Sequence, residues 1–424
     1  MLDFLRELGI DPALFLATLA ISAILLFFAY RPFIISIFDP LVVFMVSMCA
    51  NCVLMFGLGW DTDAKIEFGL FVFFFWVGFA LCGRIPRSHP ALSFDPRGLF
   101  ELEIVLFLIF ILVVAANLYL GMTVGFPLLS SDPSVTKVTS FTGGLGVVRR
   151  LNEGPFLFLA SGCLFLLISG HRRYFALTVL VISSGFVALS GSKGALLPLL
   201  FMQAFLVHHK GFGSRTRLVK TVRKMAIPVF AAAVGTALAV VVKDLGSLQA
   251  GMLFLGKRIL FYGDIILYYY PRRGAIPELM GAGMIDYIKY LLNPLLGMFR
   301  LVEYSAPLGT TIAGTADMGF GPNAQFFVRA DIFFGPVVGC GYCLANGAFI
   351  GFLRRTFFKF QTQNAIVFTF MLTLAVDAFT VATESQMFVT DVIDTALLLV
   401  PLWAVAHLIR VAAFDQAALS ESKS

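Results

Sequence analysis

The chain has 424 residues, 59% hydrophobic and only 13% charged, with 47 phenylalanines and a formal net charge of +6. Soluble domains carry about 25% charged residues, and one aqueous core cannot bury this much apolar side chain, so a soluble globular protein is excluded. The composition is that of an integral membrane protein, whose net charge gains meaning only when divided between the two sides of the membrane.

The opening MLDFLRELGID holds one basic side chain against three acids. No small-residue cleavage pattern closes the apolar run that follows, so the first span is expected to be retained. Apolar runs of about 20 residues, the length that crosses a hydrocarbon core, predict helices near 12–30, 39–58, 66–82, 102–120, 155–170, 174–190, 194–208, 225–242, 331–353, 365–382 and 393–412. The fold expected is therefore all-α, with about eleven transmembrane helices. The runs at 155 and 194 are short enough to be tilted or partly interfacial. Two connections are long, 121–154 and 243–330. The chain divides into an eight-span bundle (1–242), a large loop (243–330), further spans (331–412) and a tail (413–424).

Lys and Arg in short loops set orientation, because basic residues translocate poorly. Arg31, then Arg84, Arg87 and Arg97, then Arg172 and Arg173, then HHKGFGSRTRLVKTVRK (208–224), then Arg354, Arg355 and Lys359 fall in alternate loops. Those loops are expected inside, with the N-terminus and both long connections outside and the tail inside. The basic stretch 208–224 is what orientation against anionic inner-leaflet lipid requires, and charge alone gives no support for nucleic-acid binding.

The outer segments hold Arg149, Arg150, Arg258, Arg272, Arg273, Arg300 and Arg329, and Lys193 lies in the outer turn SGSKGA. Long loops are exempt from the positive-inside rule, so solvated charge and an anionic ligand are both open readings. Tyr262 and Tyr269, in GKRILFYGDIILYYYPRRG (256–274), fit either an interfacial belt or stacking on sugar rings. Segment 284–302 places Ile285, Ile288, Leu291, Leu292, Leu295 and Met298 at helical spacing. This predicts an amphipathic helix on the outer leaflet, kinked or divided at Pro294. The glycine-rich 308–325 reads as irregular backbone able to pass close to a ligand.

Several patterns fail on context. The pairs Cys49 with Cys52 and Cys340 with Cys343 have metal or redox spacing but lie in apolar spans, where packing is the expected role. Gly335 with Gly339, and Gly347 with Gly351, have the small-xxx-small spacing of close helix contacts. GSKGALL lacks the phosphate-loop spacing, so no nucleotide site is implied.

The ordered stretches GFPLLSSDP, GGLGVVRRLNEG, SGSKGALLPLL and GPNAQFFVRADIFFGPVVG, within residues 100–355, resemble the Wzy-type oligosaccharide repeat-unit polymerases of bacterial surface polysaccharide synthesis. An Arg, ten residues, Gly pattern reported for that family occurs from Arg272 to Gly283. The resemblance implies a GT-C-like inner-membrane glycosyltransferase that moves a growing glycan from undecaprenyl diphosphate onto the next lipid-linked repeat, without a nucleotide sugar or other cofactor. It also implies membrane lipids, a chain-length co-polymerase and a flippase as partners. The related O-antigen ligases characteristically carry a histidine motif in the large outer loop. Here His89, His171, His208, His209 and His407 all fall at the predicted inner ends or loops, which favours polymerase over ligase. A flippase or transporter would bring internal repeats and charges spread through the spans, and neither is legible.

A departing diphosphate needs its charge stabilised, and fixed guanidiniums in a partly dehydrated cleft do this without a metal. The candidates are Arg149, Arg150, Lys193, Arg258, Arg272, Arg273, Arg300 and Arg329. A carboxylate is expected to take the proton of the attacking sugar hydroxyl. Glu153, Asp264, Glu303, Asp317 and Asp331 are on the outer side. Asp377, inside the tenth span, is read either as catalytic or as the structural partner of Lys193 or Arg329, facing the bundle interior in both cases.

Overall fold

The computed structural model describes residues 11–86, 92–131, 133, 136, 148, 150–191, 196–209, 216–252, 254, 261–276, 281–299, 301–302, 308–314 and 322–421. Among them the secondary structure is helical throughout: α1 Pro12–Tyr30, α2 Pro40–Gly57, α3 Thr62–Cys82, α4 Pro96–Thr123, α5 Gly154–Ser169, α6 Arg173–Leu189, α7 Leu197–His208, α8 Thr216–Leu245, α9 Ile265–Tyr269, α10 Met284–Met298, α11 Leu308–Ala313, α12 Phe326–Lys359, α13 Ala365–Asp377, α14 Thr380–Thr383 and α15 Ser385–Glu421, with short 3-10 turns between some of them. Eight of these helices are long and apolar enough to cross a membrane, and α6, α7 and α13 are shorter apolar helices. The protein is a multi-pass membrane protein. The twelve residues of α7 rise only about 18 Å, short of the ~30 Å hydrocarbon core.

Local chemistry sets several starts. Asp11, Asp39 and Asp95 each precede a proline at the first helical position, and each carboxylate accepts from the backbone N–H two residues on. That pairs a side-chain cap with a residue whose missing N–H costs nothing there. Asn364 caps α13 by accepting from Ile366 and Val367.

The chain forms two compact units that interleave along the sequence. The first comprises Met1–Ile85, Val241–Thr356 and Asp377–Thr390; the second comprises Pro86–Val240, Phe357–Val376 and Asp391–Ser424.

In the first unit, α3 and α12 run in parallel at backbone contact. A Cβ on Gly78 would lie 2.0 Å from the Leu344 carbonyl oxygen, and one on Gly347 would lie 2.0 Å from that of Phe75. A Cβ on Gly351 would lie 2.7 Å from the Gly83 nitrogen and 2.9 Å from the Phe79 carbonyl oxygen, and one on Gly339 would lie 2.9 Å from the Phe71 ring. Three of the four glycines singled out by spacing thus serve close contact, and the fourth, Gly335, instead turns the chain. Gly347→Leu is expected to destabilise the protein by about 1–3 kcal/mol through overpacking. Gly185→Leu, in open space on α6, should change stability by less than about 0.5 kcal/mol. Thermal unfolding in detergent compares the two.

Gly335 has φ +66° and ψ −174°, a backbone conformation suited to glycine, and Pro336 follows it. The turn folds 326–334 back on 336–359. The Arg329 Nε donates to the Tyr342 hydroxyl at 3.1 Å, although thirteen residues of continuous helix would separate them by about 20 Å. The Phe334 and Tyr342 rings stack at 4.9 Å. Where a span over 331–353 is expected, the structure has a long helix from 336 and a re-entrant half-helix before it. The tenth span likewise stops at Asp377 and α15 begins at Ser385, with the single turn of α14 between them.

The half-helix is anchored in aromatic packing, with Phe326 on Phe75 at 4.4 Å and Phe75 on Phe44 at 5.1 Å. At one end of this unit, Arg354 and Asp39 form a fully buried pair, Nη1 to Oδ1 at 2.5 Å and Nη2 to Oδ2 at 2.8 Å. The expected loop position of Arg354 is thus a buried ion pair near the end of α12.

In the second unit α5 is the central helix, packed on α4, α6 and α7. Gly162 lets Leu106 of α4 approach to within 2.6 Å of where a Cβ would stand. Thr373 of α13 donates to Ser161 of α5 at 3.1 Å.

Candidate functional site

The polar residues of the first unit collect where 261–276, α10, α11, the half-helix 326–334 and the break at 378–384 meet. Non-spanning backbone is tolerated in a membrane protein where protein covers it or it lines a polar cavity. Gly263 lies against the backbone of Ala50 and Asn51 of α2, about 3.0 Å from where its Cβ would be. Gln325, almost fully buried, donates to Ser47 Oγ at 3.2 Å and to the Tyr262 carbonyl at 3.0 Å. This ties the loop to the middle of a span.

Arg273 is clamped by two carboxylates. Its Nε and Nη2 bind Asp331 at 2.5 and 2.9 Å, and Nη2 also binds Glu67 of α3. Burial opposes its charge, but Asp331 and Glu67 outweigh burial and raise the guanidinium pKa. Tyr269, fully buried, donates to Asp331 at 2.7 Å. Burial first, and Asp331 second, raise its phenol pKa, which keeps it a donor. Both Asp331 oxygens therefore accept, whereas Glu67 Oε1 is buried without a hydrogen-bond partner.

Arg272 differs from its neighbour. It is exposed, and Nη1 donates to the Ile312 carbonyl at 3.2 Å, close to Gly314, whose φ is +69°. Its remaining donors have no partner among the described residues. The glycine-rich stretch read as irregular is helical at 308–313, where Gly309 passes so close to the Pro322 carbonyl that no Cβ would fit. Gly283, the last residue of the Arg272–Gly283 pattern, has φ +103° and donates to the Phe333 carbonyl at 2.7 Å just before α10.

Arg329 has no exposed surface. Besides Tyr342, it donates to the carbonyls of Ala324 (2.6 Å), Val381 (2.5 Å) and Ala382 (3.1 Å). Four of its five N–H donors are used, three of them on backbone carbonyls beside the helix breaks, so this fully buried side chain serves as a structural staple. Asp377 accepts from Thr380 at 2.6 Å, and no cation among the described residues pairs with it.

Glu384, between α14 and α15, accepts from the Tyr290 hydroxyl and from the Ala324 N–H at 3.3 Å. Tyr287 bonds Tyr342 at 3.0 Å. The amphipathic helix is present as α10, with Tyr290 and Leu295 buried and Ile285 and Ile288 exposed. Pro294 does not divide it. Lacking an N–H, Pro294 leaves the Tyr290 carbonyl without its helical donor, and Gln386 supplies one at 2.8 Å.

Burial raises the Glu384 carboxyl above its ordinary 4.5, with Arg329, Tyr290 and Ala324 opposing. A raised folded-state value means stability that is full below the unfolded value and is lost as pH rises through the folded one. Glu384→Gln is therefore expected to flatten the stability profile from about pH 4.5 upward. Unfolding temperatures of both proteins across that range check it.

Asp264 precedes α9 and is half-buried, and Tyr262 presents its ring outward. In the second unit, Arg150 lies 3.4 Å from Asp394 and Glu153 precedes α5. Arg149, Lys193, Arg258, Arg300, Glu303 and Asp317 lie outside the described residues. Glu67 and Glu384 were not among the sequence candidates. Glu67 falls in the first turns of an apolar span, and Glu384 follows Asp377 in VATES, where the helix break that exposes its backbone neighbours has no strong sequence mark. All six cysteines are free thiols. Compared with protein-family models, curated proteins and solved structures, the chain finds no match.

Proposed function

We propose that the chain polymerises undecaprenyl-diphosphate-linked oligosaccharide repeats on the outer face of a bacterial inner membrane, as a GT-C-like glycosyltransferase in which α6, α7 and α13 complete about eleven crossings. The observation that carries this reading is Arg272. It is an exposed guanidinium fixed by one carbonyl, with open donors, beside an Arg273 already neutralised by Asp331 and Glu67. Such a fork suits a departing diphosphate, because it pairs two oxygens at once and is held in place beforehand. Glu67, with its unpartnered oxygen, joins Asp264 as a candidate to accept the hydroxyl proton. Arg273 and Tyr269 act as positioning residues for Asp331.

One observation favours a second reading. The fold-back at Gly335 and the break after Asp377 are discontinuous helices of the kind that form transporter sites. Glycan analysis of cells lacking this protein separates the two. A polymerase defect leaves single lipid-linked repeats accessible outside, whereas a flippase defect traps them inside.

A further inference from the structure

A groove of about 580 Å³ lies in the second unit between the start of α4 and the last turns of the α15 span. At its polar end Glu101 is 4% exposed, an unusual state for a carboxylate in an apolar helix. It accepts from His407 Nδ1 at 2.9 Å, Arg410 Nε at 3.1 Å and Trp403 Nε1 at 3.4 Å. Arg410 and His407 keep part of their surface open. From this end Leu408, Ala404 and Val400 recede along α15 at four-residue intervals, a single helical stripe. Leu408 and Val400 are 68% and 66% exposed.

We propose that this groove binds one phosphatidylethanolamine molecule. Its acyl chain lies on the Leu408–Ala404–Val400 stripe, which leads from the end of the span back toward its middle. The phosphate meets the open donors of Arg410, with Trp403 at the level where aromatic side chains favour the interface. At the polar end one carboxylate faces one guanidinium. A headgroup that carries both a phosphate and an ammonium matches this. The ammonium adds a donor to Glu101, which phosphatidylcholine cannot supply, and a net-anionic headgroup gains nothing against the carboxylate. The site is independent of the glycan reading, since it shares no residue with it.

The test is native mass spectrometry of the delipidated full chain, offered equal amounts of phosphatidylethanolamine, phosphatidylglycerol and phosphatidylcholine with identical acyl chains. One bound phosphatidylethanolamine is expected, retained at least about tenfold over the others, the scale of one charge-assisted contact. Glu101→Gln and Arg410→Ala should each reduce retention by about tenfold. Ala404→Trp, which fills the stripe and leaves the polar end intact, should do the same with an unchanged unfolding temperature. Preference for phosphatidylglycerol, equal retention of all three lipids, undiminished binding by Ala404→Trp, or competition by soluble glycerophosphoethanolamine as effective as the lipid itself would each overturn the proposal.

Discussion

Replacing Arg272 with Ala is expected to slow polymer formation by about thirty-fold to a thousand-fold, while the protein stays folded and inserted. The loss corresponds to roughly 2–4 kcal/mol of barrier, the usual cost of removing one preorganised donor from a developing anion. Folding should be spared because the side chain is exposed and its single contact is one carbonyl at 3.2 Å. Arg272→Lys should restore only part of the rate, since it keeps the charge and loses the planar fork. The measurement is the glycan ladder made by the variant, normalised to membrane-inserted protein. Ladder lengths that match the unmodified protein would remove Arg272 from the site.

Arg354→Ala is expected to produce the largest loss of stability, about 3–5 kcal/mol, because it leaves Asp39 as a buried charge without its partner. Asp39 also accepts from the backbone N–H groups of Ile35 and Leu41, so the orphaned carboxylate would sit at the start of α2. Arg354 in addition donates to the Phe33 carbonyl at 3.2 Å, which ties the α1–α2 connection to α12. Unfolding in detergent should show a large drop in midpoint. Changing Asp39 and Arg354 together to apolar residues should cost less than Arg354→Ala alone, since no lone charge then remains. An additive double variant would show that the pair is not coupled.

Most of the spanning architecture was legible because apolar length is a strong signal. The first helix falls at 12–30 as the run predicts and the second starts within one residue of its run, whereas the helix expected from 102 starts at Pro96, where Asp95 caps it. What escaped was the path of the chain where apolar composition continues through a reversal. Residues 326–359 contain no polar gap at Gly335, so hydropathy reads them as running on, and only the Gly-Pro dipeptide marks the turn.

The site was legible in its residue types and less so in their roles. Arg272, Arg273 and Arg329 all read as phosphate ligands from charge and side alone. The structure places them in three different environments: one open, one held between two acids, one used on carbonyls. Those differences arise largely from residues distant in the chain, such as Asp331, 58 positions from Arg273, and Val381, 52 positions from Arg329, and spacing along the chain carries no record of them.

The most direct test of the proposed activity is reconstitution of the purified protein with undecaprenyl-diphosphate-linked repeats as the only glycan, in the presence of a chelator and without nucleotide. The lipid-linked repeats are expected to lengthen stepwise, and Arg272→Ala to slow this by at least about thirty-fold. Repeats that stay single, that cross the bilayer without joining, or that lengthen only when a metal ion or nucleotide sugar is added would contradict the proposed activity.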